Sequence, residues 1–244
     1  MILIGHRGAR GEAPENTLGG FRHMLNVGIR AVEFDVRMLR NGELVVIHDD
    51  NLLRTADLDL PLLALNSTDL SQVDQRKGWS NWPHAEPLPL LKDVLAMLSN
   101  VDHIEVEVKA VEDLYQAHLL VGRLLNQIRG FRDRVTVTSF DLNVLRALQL
   151  SRAPIKRGLL IETRLPDDVL GLAQSLGCEH LGLQDSLCTH NLVEQIQAED
   201  CWCSVWTVND VDRALQLEYW GIDGLITDIP STMISKNVGQ LNSR

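Results

Sequence analysis

The chain has 244 residues, 45% hydrophobic and 23% charged, with a formal net charge of −10 at pH 7. That is enough to bury one large core, and these proportions exclude a disordered chain and a coiled coil. The acidic balance argues against a nucleic-acid partner, since neutralising a polyphosphate takes a basic stripe, and no apolar run approaches the length of a membrane span.

Met1-Ile2-Leu3-Ile4 opens directly into a strand without the basic flank of a signal peptide, so a cytoplasmic location and no stable membrane association are expected. This strand runs into Gly5-His6-Arg7-Gly8. A helix is expected from about Thr17 to Val27, closed by Gly28. Ala31–Val36 reads as the second strand, where alternation sends Glu33 and Asp35 to one side and Val32, Phe34 and Val36 to the other. Asn41-Gly42 reads as a tight turn into a short extra strand, Leu44–Ile47, which carries His48 back towards the strand end that holds Asp35.

Residues 51–89 are the least regular stretch, holding Pro61, Pro83, Pro87 and Pro89 with Trp79 and Trp82. They are expected to run over the mouth of the domain as a lid, a substrate-selecting wall or a structural cover. Regular alternation follows: a helix from Pro89 to about Leu98, then the strand His103–Lys109, a helix Glu112–Asn126, the strand Val135–Thr138 and a helix Asp141–Leu150. Next come Lys156–Ile161, Asp167–Leu176, His180–Leu183, Asn191–Glu199, Cys203–Trp206, Asp210–Tyr219 and Gly224–Ile226, again strand and helix in turn. Strand and helix taking turns mark βα units around a parallel sheet, and the main strands number eight. The expected fold is therefore a single-domain α/β TIM (β/α)8 barrel over 1–244, with a small insertion after the second strand.

In such a barrel the chemistry sits at the carboxyl ends of the strands. Two acids on one face of the second strand, with a histidine at each neighbouring strand end, suit a hard divalent cation and metal-assisted hydrolysis. The third main strand alternates Glu105, Glu107 and Lys109 with Val106 and Val108, which places the charged row inside the barrel. Buried charge needs compensation, by a metal or by ion pairs within the row. Glu105, the deepest, is assigned a structural part. Cys178, Cys188, Cys201 and Cys203 lack metal-binding spacing and are expected as free thiols. His23, His84, His103, His118, His180 and His190 lie outside any motif and receive no catalytic role.

Taken in order, Gly5-His6-Arg7-Gly8-Ala9, Pro14-Glu15-Asn16-Thr17, Glu33-Phe34-Asp35-Val36, Val46-Ile47-His48-Asp49, Leu53-Arg54-Thr55, Ile104–Lys109, Trp206–Asn209 and Ile226–Pro230 resemble the glycerophosphodiester phosphodiesterases along nearly the whole chain. The resemblance implies metal-dependent hydrolysis of a small glycerophosphodiester to glycerol 3-phosphate and an alcohol. It implies Glu33, Asp35 and Glu107 as ligands, and three carboxylates without a thiol favour Mg²⁺ or Ca²⁺. His6 and His48 would be the general acid and base, while Arg7 and Lys109 would bind the phosphodiester. Trp206 matches the family's active-site tryptophan and would wall the glycerol or head group. Glu15 would bind a substrate hydroxyl or an ordered water, with a helix-start acid as its other reading. Lysophospholipase D or phospholipase C type activity on lipids is the alternative; a barrel that binds without turnover is disfavoured by the intact acids and histidines. After Thr55 the chain leaves the family's usual Thr-Thr-x-Gly for Ala56-Asp57-Leu58, beside the expected mouth.

Overall fold

Short apolar runs separated by amphipathic helices can bury both faces only as parallel strands with helices packed outside. The computed structural model describes residues 1–239, and among them the strands are β1 (Ile2–His6), β2 (Ala31–Met38), β3 (Leu44–Val46), β4 (His103–Val108), β5 (Val135–Ser139), β6 (Lys156–Ile161), β7 (His180–Gln184), β8 (Trp202–Trp206) and β9 (Gly224–Thr227). From β1 the ring passes through β2, β4, β5, β6, β7, β8 and β9 and returns to β1, with every neighbouring pair parallel. This is the expected TIM barrel. β3 stands outside the ring, antiparallel to β2.

The helix starts are set by side chains that accept a backbone N–H of the first turn: Thr17, Asp113, Asp141, Asp168, Thr189 and Asp210 all do so. Apolar periodicity locates the helix body but not its cap, which is why several expected starts are a residue or two off. Gly28 closes the first helix at φ 103°. A last helix, Pro230–Ser235, was not anticipated; it is a single short stretch with proline at its start.

The main core lies between ring and helices. Val32, Phe34 and Val36 of β2 and Val106 and Val108 of β4 point into it, packed with residues such as Phe21, Leu91 and Leu120. The opposite faces of the same strands fill the barrel with polar groups, because alternation that sends valine out sends Glu33, Asp35, Glu105 and Glu107 in. At the lower end Glu105 is fully enclosed and is met by His103 Nε2 at 3.2 Å and Ser204 Oγ at 3.4 Å. Ser204 Oγ in turn lies 2.7 Å from His180 Nε2. The enclosed Glu105 carboxylate is thus kept within a hydrogen-bonded set.

The stretch 51–89 is more ordered than its sequence pattern indicates. It contains the short helix Leu53–Ala56 and two 3₁₀ turns, and Leu52, Leu62, Leu65, Leu70, Val73 and Leu88 form a separate small core with Leu39, Val45 and Ile47 around the β2–β3 hairpin. Glu86 fastens its far end to the first helix, accepting from Gly19 N at 2.9 Å and from Trp82 Nε1 at 2.8 Å. The expected lid or wall needs correction: among the described residues none from 51–89 lines the cavity at the barrel mouth. Its leucines are drawn to the side of the barrel by the hairpin, the nearest apolar surface. All four cysteines are free.

Candidate active site

The register of β2 on β4 sets Glu33 beside Glu105 and Asp35 beside Glu107. Since adjacent strands run about 4.8 Å apart, this brings acids of two strands into one place. Ligand atoms of Glu33, Asp35 and Glu107 all lie within 4.8 Å of one another. β1 pairs His6 with Glu33 on the other side. Beyond His6 the chain folds back tightly: a Cβ at Gly5 would meet Gly8 O at 2.0 Å, so only glycine fits.

That turn places Arg7 at φ 50°, where its backbone N–H donates to Glu33 Oε2 at 3.2 Å. Its side chain reaches Asp35, with Nε 3.1 Å from Oδ2. Lys109 donates to Glu107 Oε1 at 2.5 Å and lies 3.2 Å from Asp35 Oδ1. Asn16, also left-handed at φ 55°, donates from Nδ2 to Asp35 Oδ2 at 2.9 Å.

Three buried carboxylates facing two cations leave an excess of negative charge, and the titration behaviour follows. Burial raises the Glu33 carboxyl well above its usual range, and the neighbouring Asp35 and Glu107 add to it. Glu107 is pushed up to about 7 by burial and by Asp35, with Lys109 opposing. For Asp35 burial also raises, but Arg7, Lys109 and His48 outweigh it and hold the group far below the usual range. Asp35 Oδ1 is buried and meets Lys109 Nζ at 3.2 Å as an ion pair without a well-formed hydrogen bond. An all-oxygen donor set with surplus negative charge and an underused buried oxygen fits a hard divalent cation.

His6 is buried, and its Nδ1 lies 2.6 Å from Asp228 Oδ1. Asp228 is itself held by Asn209 Nδ2 at 2.8 Å. His6 Nε2 lies 3.9 Å from Glu33 Oε2. Burial pulls the imidazole below its ordinary value while the bond to Asp228 resists. His48 follows β3, anchored by Ile47 N donating to Asp35 O at 3.0 Å and by Arg37 Nε donating to His48 O at 2.8 Å. Its Nδ1 lies 2.7 Å from Asp49 Oδ1, and burial lowers its pKa against the pull of Asp35.

Of the residues singled out in the sequence, His6, Arg7, Glu33, His48, Glu107, Lys109 and Trp206 border one cavity of about 450 Å³. Trp206 packs edge-on to Phe140 with ring centres 5.5 Å apart, and both rings line the cavity. Glu15 is not on that wall. Its carboxylate is engaged behind it by Arg7 at 2.8 Å and by Arg54 at 2.6 and 2.8 Å. Asp228, Asn16 and Asp49 are functional neighbours that the sequence reading gave no role. Each stands in a quoted motif, but a polar loop residue carries no periodicity, and Asp228 is 222 residues from its partner.

The family model described as the glycerophosphoryl diester phosphodiesterase family matches residues 6–232. A glycerophosphodiester phosphodiesterase of Bacillus altitudinis is 26% identical over 95% of this chain and 96% of its own length. Human lysophospholipase D GDPD1 is 22% identical over 94% and 84%. A solved phosphodiesterase of Oleispira antarctica, in complex with the product sn-glycerol-3-phosphate, superposes with a TM-score of 0.89 at 26% identity, covering 96% of each chain.

Proposed function

Because this chain belongs to the glycerophosphoryl diester phosphodiesterase family, we propose that it hydrolyses small glycerophosphodiesters to glycerol 3-phosphate and an alcohol with two histidines as general acid and base. The observation that supports this most is the cluster of Glu33, Asp35 and Glu107 within 4.8 Å, of which Glu33 and Glu107 border the same cavity as both imidazoles. As a family member the chain is a phosphoric diester hydrolase.

In this reading Arg7 and Lys109 hold the anionic phosphodiester and stay in place as charge grows in the transition state. When bound by Glu33, Asp35 and Glu107, Mg²⁺ or Ca²⁺ supplies further positive charge and Lewis acidity. The paired carboxylates Asp228 and Asp49 bond Nδ1 of His6 and His48, which leaves Nε2 of each ring for proton transfer. One imidazole takes the proton of the attacking hydroxyl, and the other gives one to the departing alkoxide, a poor leaving group when unprotonated. Trp206 and Phe140 present an apolar wall to the glycerol or the head group.

Lysophospholipase D type activity is the second reading. It draws on the human relative and on the exposed Leu53, Leu58 and Leu63 of the insertion. Turnover of a panel of glycerophosphodiesters and lysolipids, with glycerol 3-phosphate detection before and after chelation, separates the two. Hydrolysis that survives thorough metal removal would overturn the metal-dependent mechanism, and a preference for lysolipids would install the second reading.

A further inference from the structure

Arg54 stands on the short helix Leu53–Ala56, outside the cavity wall, and its guanidinium spans two carboxylates. Nη1 and Nη2 donate to Glu15 at 2.6 and 2.8 Å, and Nε donates to Asp49 Oδ2 at 2.6 Å. Each carboxylate also holds a group that does border the cavity. Asp49 Oδ1 lies 2.7 Å from His48 Nδ1, and Glu15 Oε1 accepts from Arg7 Nη1 at 2.8 Å. An unbroken series of charge-assisted bonds thus runs from His48 through Arg54 to Arg7, and Arg7 Nε forms an ion pair with Asp35 at 3.1 Å.

His48 needs such support more than His6 does. It follows a three-residue strand outside the ring, and its side chain is 33% exposed. Asp49 alone would be free to turn away from it. We infer that Arg54 is a positioning residue that fixes His48 and Arg7 relative to each other across the mouth, and that this strut is the catalytic use of the insertion.

The strut is anchored from below. Lys77 N donates to Thr55 O at 2.9 Å, Lys77 Nζ to Leu53 O at 3.0 Å, and Thr55 Oγ1 to Gln75 Oε1 at 2.5 Å. The helix is therefore tied to the part of 51–89 that packs beside the barrel. A planar fork with five donors is what spans two carboxylates; the single ammonium of lysine reaches one at a time. The inference rests on the proposed roles of His48 and Arg7 in diester hydrolysis.

Arg54→Gln and Arg54→Lys test it, alone and combined with Asp49→Asn. Loss of alignment should lower kcat about 10- to 100-fold for Arg54→Gln while KM changes less than about threefold. Arg54→Lys should recover part of the loss, and the Arg54→Gln/Asp49→Asn pair should be no worse than its worse member. In metal-free protein, the ring nitrogen resonances of His48 should change from one tautomer to a mixture in Arg54→Gln while those of His6 stay put. A kcat within about twofold of the unsubstituted enzyme, additive losses in the pair, or unchanged His48 resonances would overturn the strut. If the unsubstituted protein hydrolysed no diester, the proposed function would fall, and the resonances would still decide whether Arg54 fixes His48.

Discussion

Asp35 and Glu107 are direct cross-strand partners in the parallel β2–β4 register, yet their carboxyls are driven in opposite directions. Arg7 and Lys109 both lie against Asp35, whereas Glu107 shares only Lys109 by direct contact. Of the two, Glu107 is therefore the carboxyl that takes up a proton as pH falls through neutrality.

Cation uptake must displace that proton. With Glu107 pushed up to about 7 and Glu33 raised as well, the ionised forms that would bind the metal become scarce as pH falls, so affinity should fall by at least about tenfold per unit below about pH 7. Mg²⁺ or Ca²⁺ titrations by calorimetry at about pH 6 and about pH 8 measure the slope. Equal affinity at both would remove Glu107 from the ligand set.

His6→Ala and His48→Ala should each lower kcat by roughly two to four orders of magnitude, the range for a general acid or base. Steady-state kinetics on a glycerophosphodiester checks this. Near-native turnover in either variant would strike that residue from the mechanism.

Asp228→Asn keeps the size of the side chain but replaces the charged acceptor that His6 Nδ1 faces at 2.6 Å. A ring released from its orientation should cost on the order of 10²-fold in kcat, and Asp228→Ala at least as much. Folding should be little affected, so circular dichroism melts recorded beside the kinetics distinguish misplacement from unfolding.

Asp113→Ala removes the side chain that accepts from Gln116 N at 2.8 Å at the start of the helix after β4, outside the lining of the cavity. The expected loss is about 1 kcal/mol, or roughly 2–4 °C in Tm for a domain of this size, with kcat and KM unchanged. A change in kcat without a change in Tm would contradict the separation of cap and site.

Much of the site was legible because strand alternation is a strong signal. Glu33 and Asp35 against Val32, Phe34 and Val36, and Glu105, Glu107 and Lys109 against Val106 and Val108, could point only one way each once a barrel was inferred. The motifs around His6 and His48 supplied the rest. What stayed hidden depends on contacts between distant loops. Arg54 is one charged residue in an aperiodic stretch, and nothing local reveals that it meets Glu15, 39 positions earlier. The insertion misled for a related reason: proline and polar residues concealed Leu52, Leu62, Leu70 and Val73, whose shared core includes residues of the distant β2–β3 hairpin.

The His6–Asp228 bond joins the end of the first strand of the ring to the residue just after the last. The His6 imidazole therefore gains the carboxylate that orients it only where the two ends of the ring meet. A chain interrupted ahead of residue 228 could still gather the acids of β2 and β4, but His6 would lack the neighbour that aims it. Turnover then doubles as a readout of ring closure, available to any experiment that permutes or splits this protein.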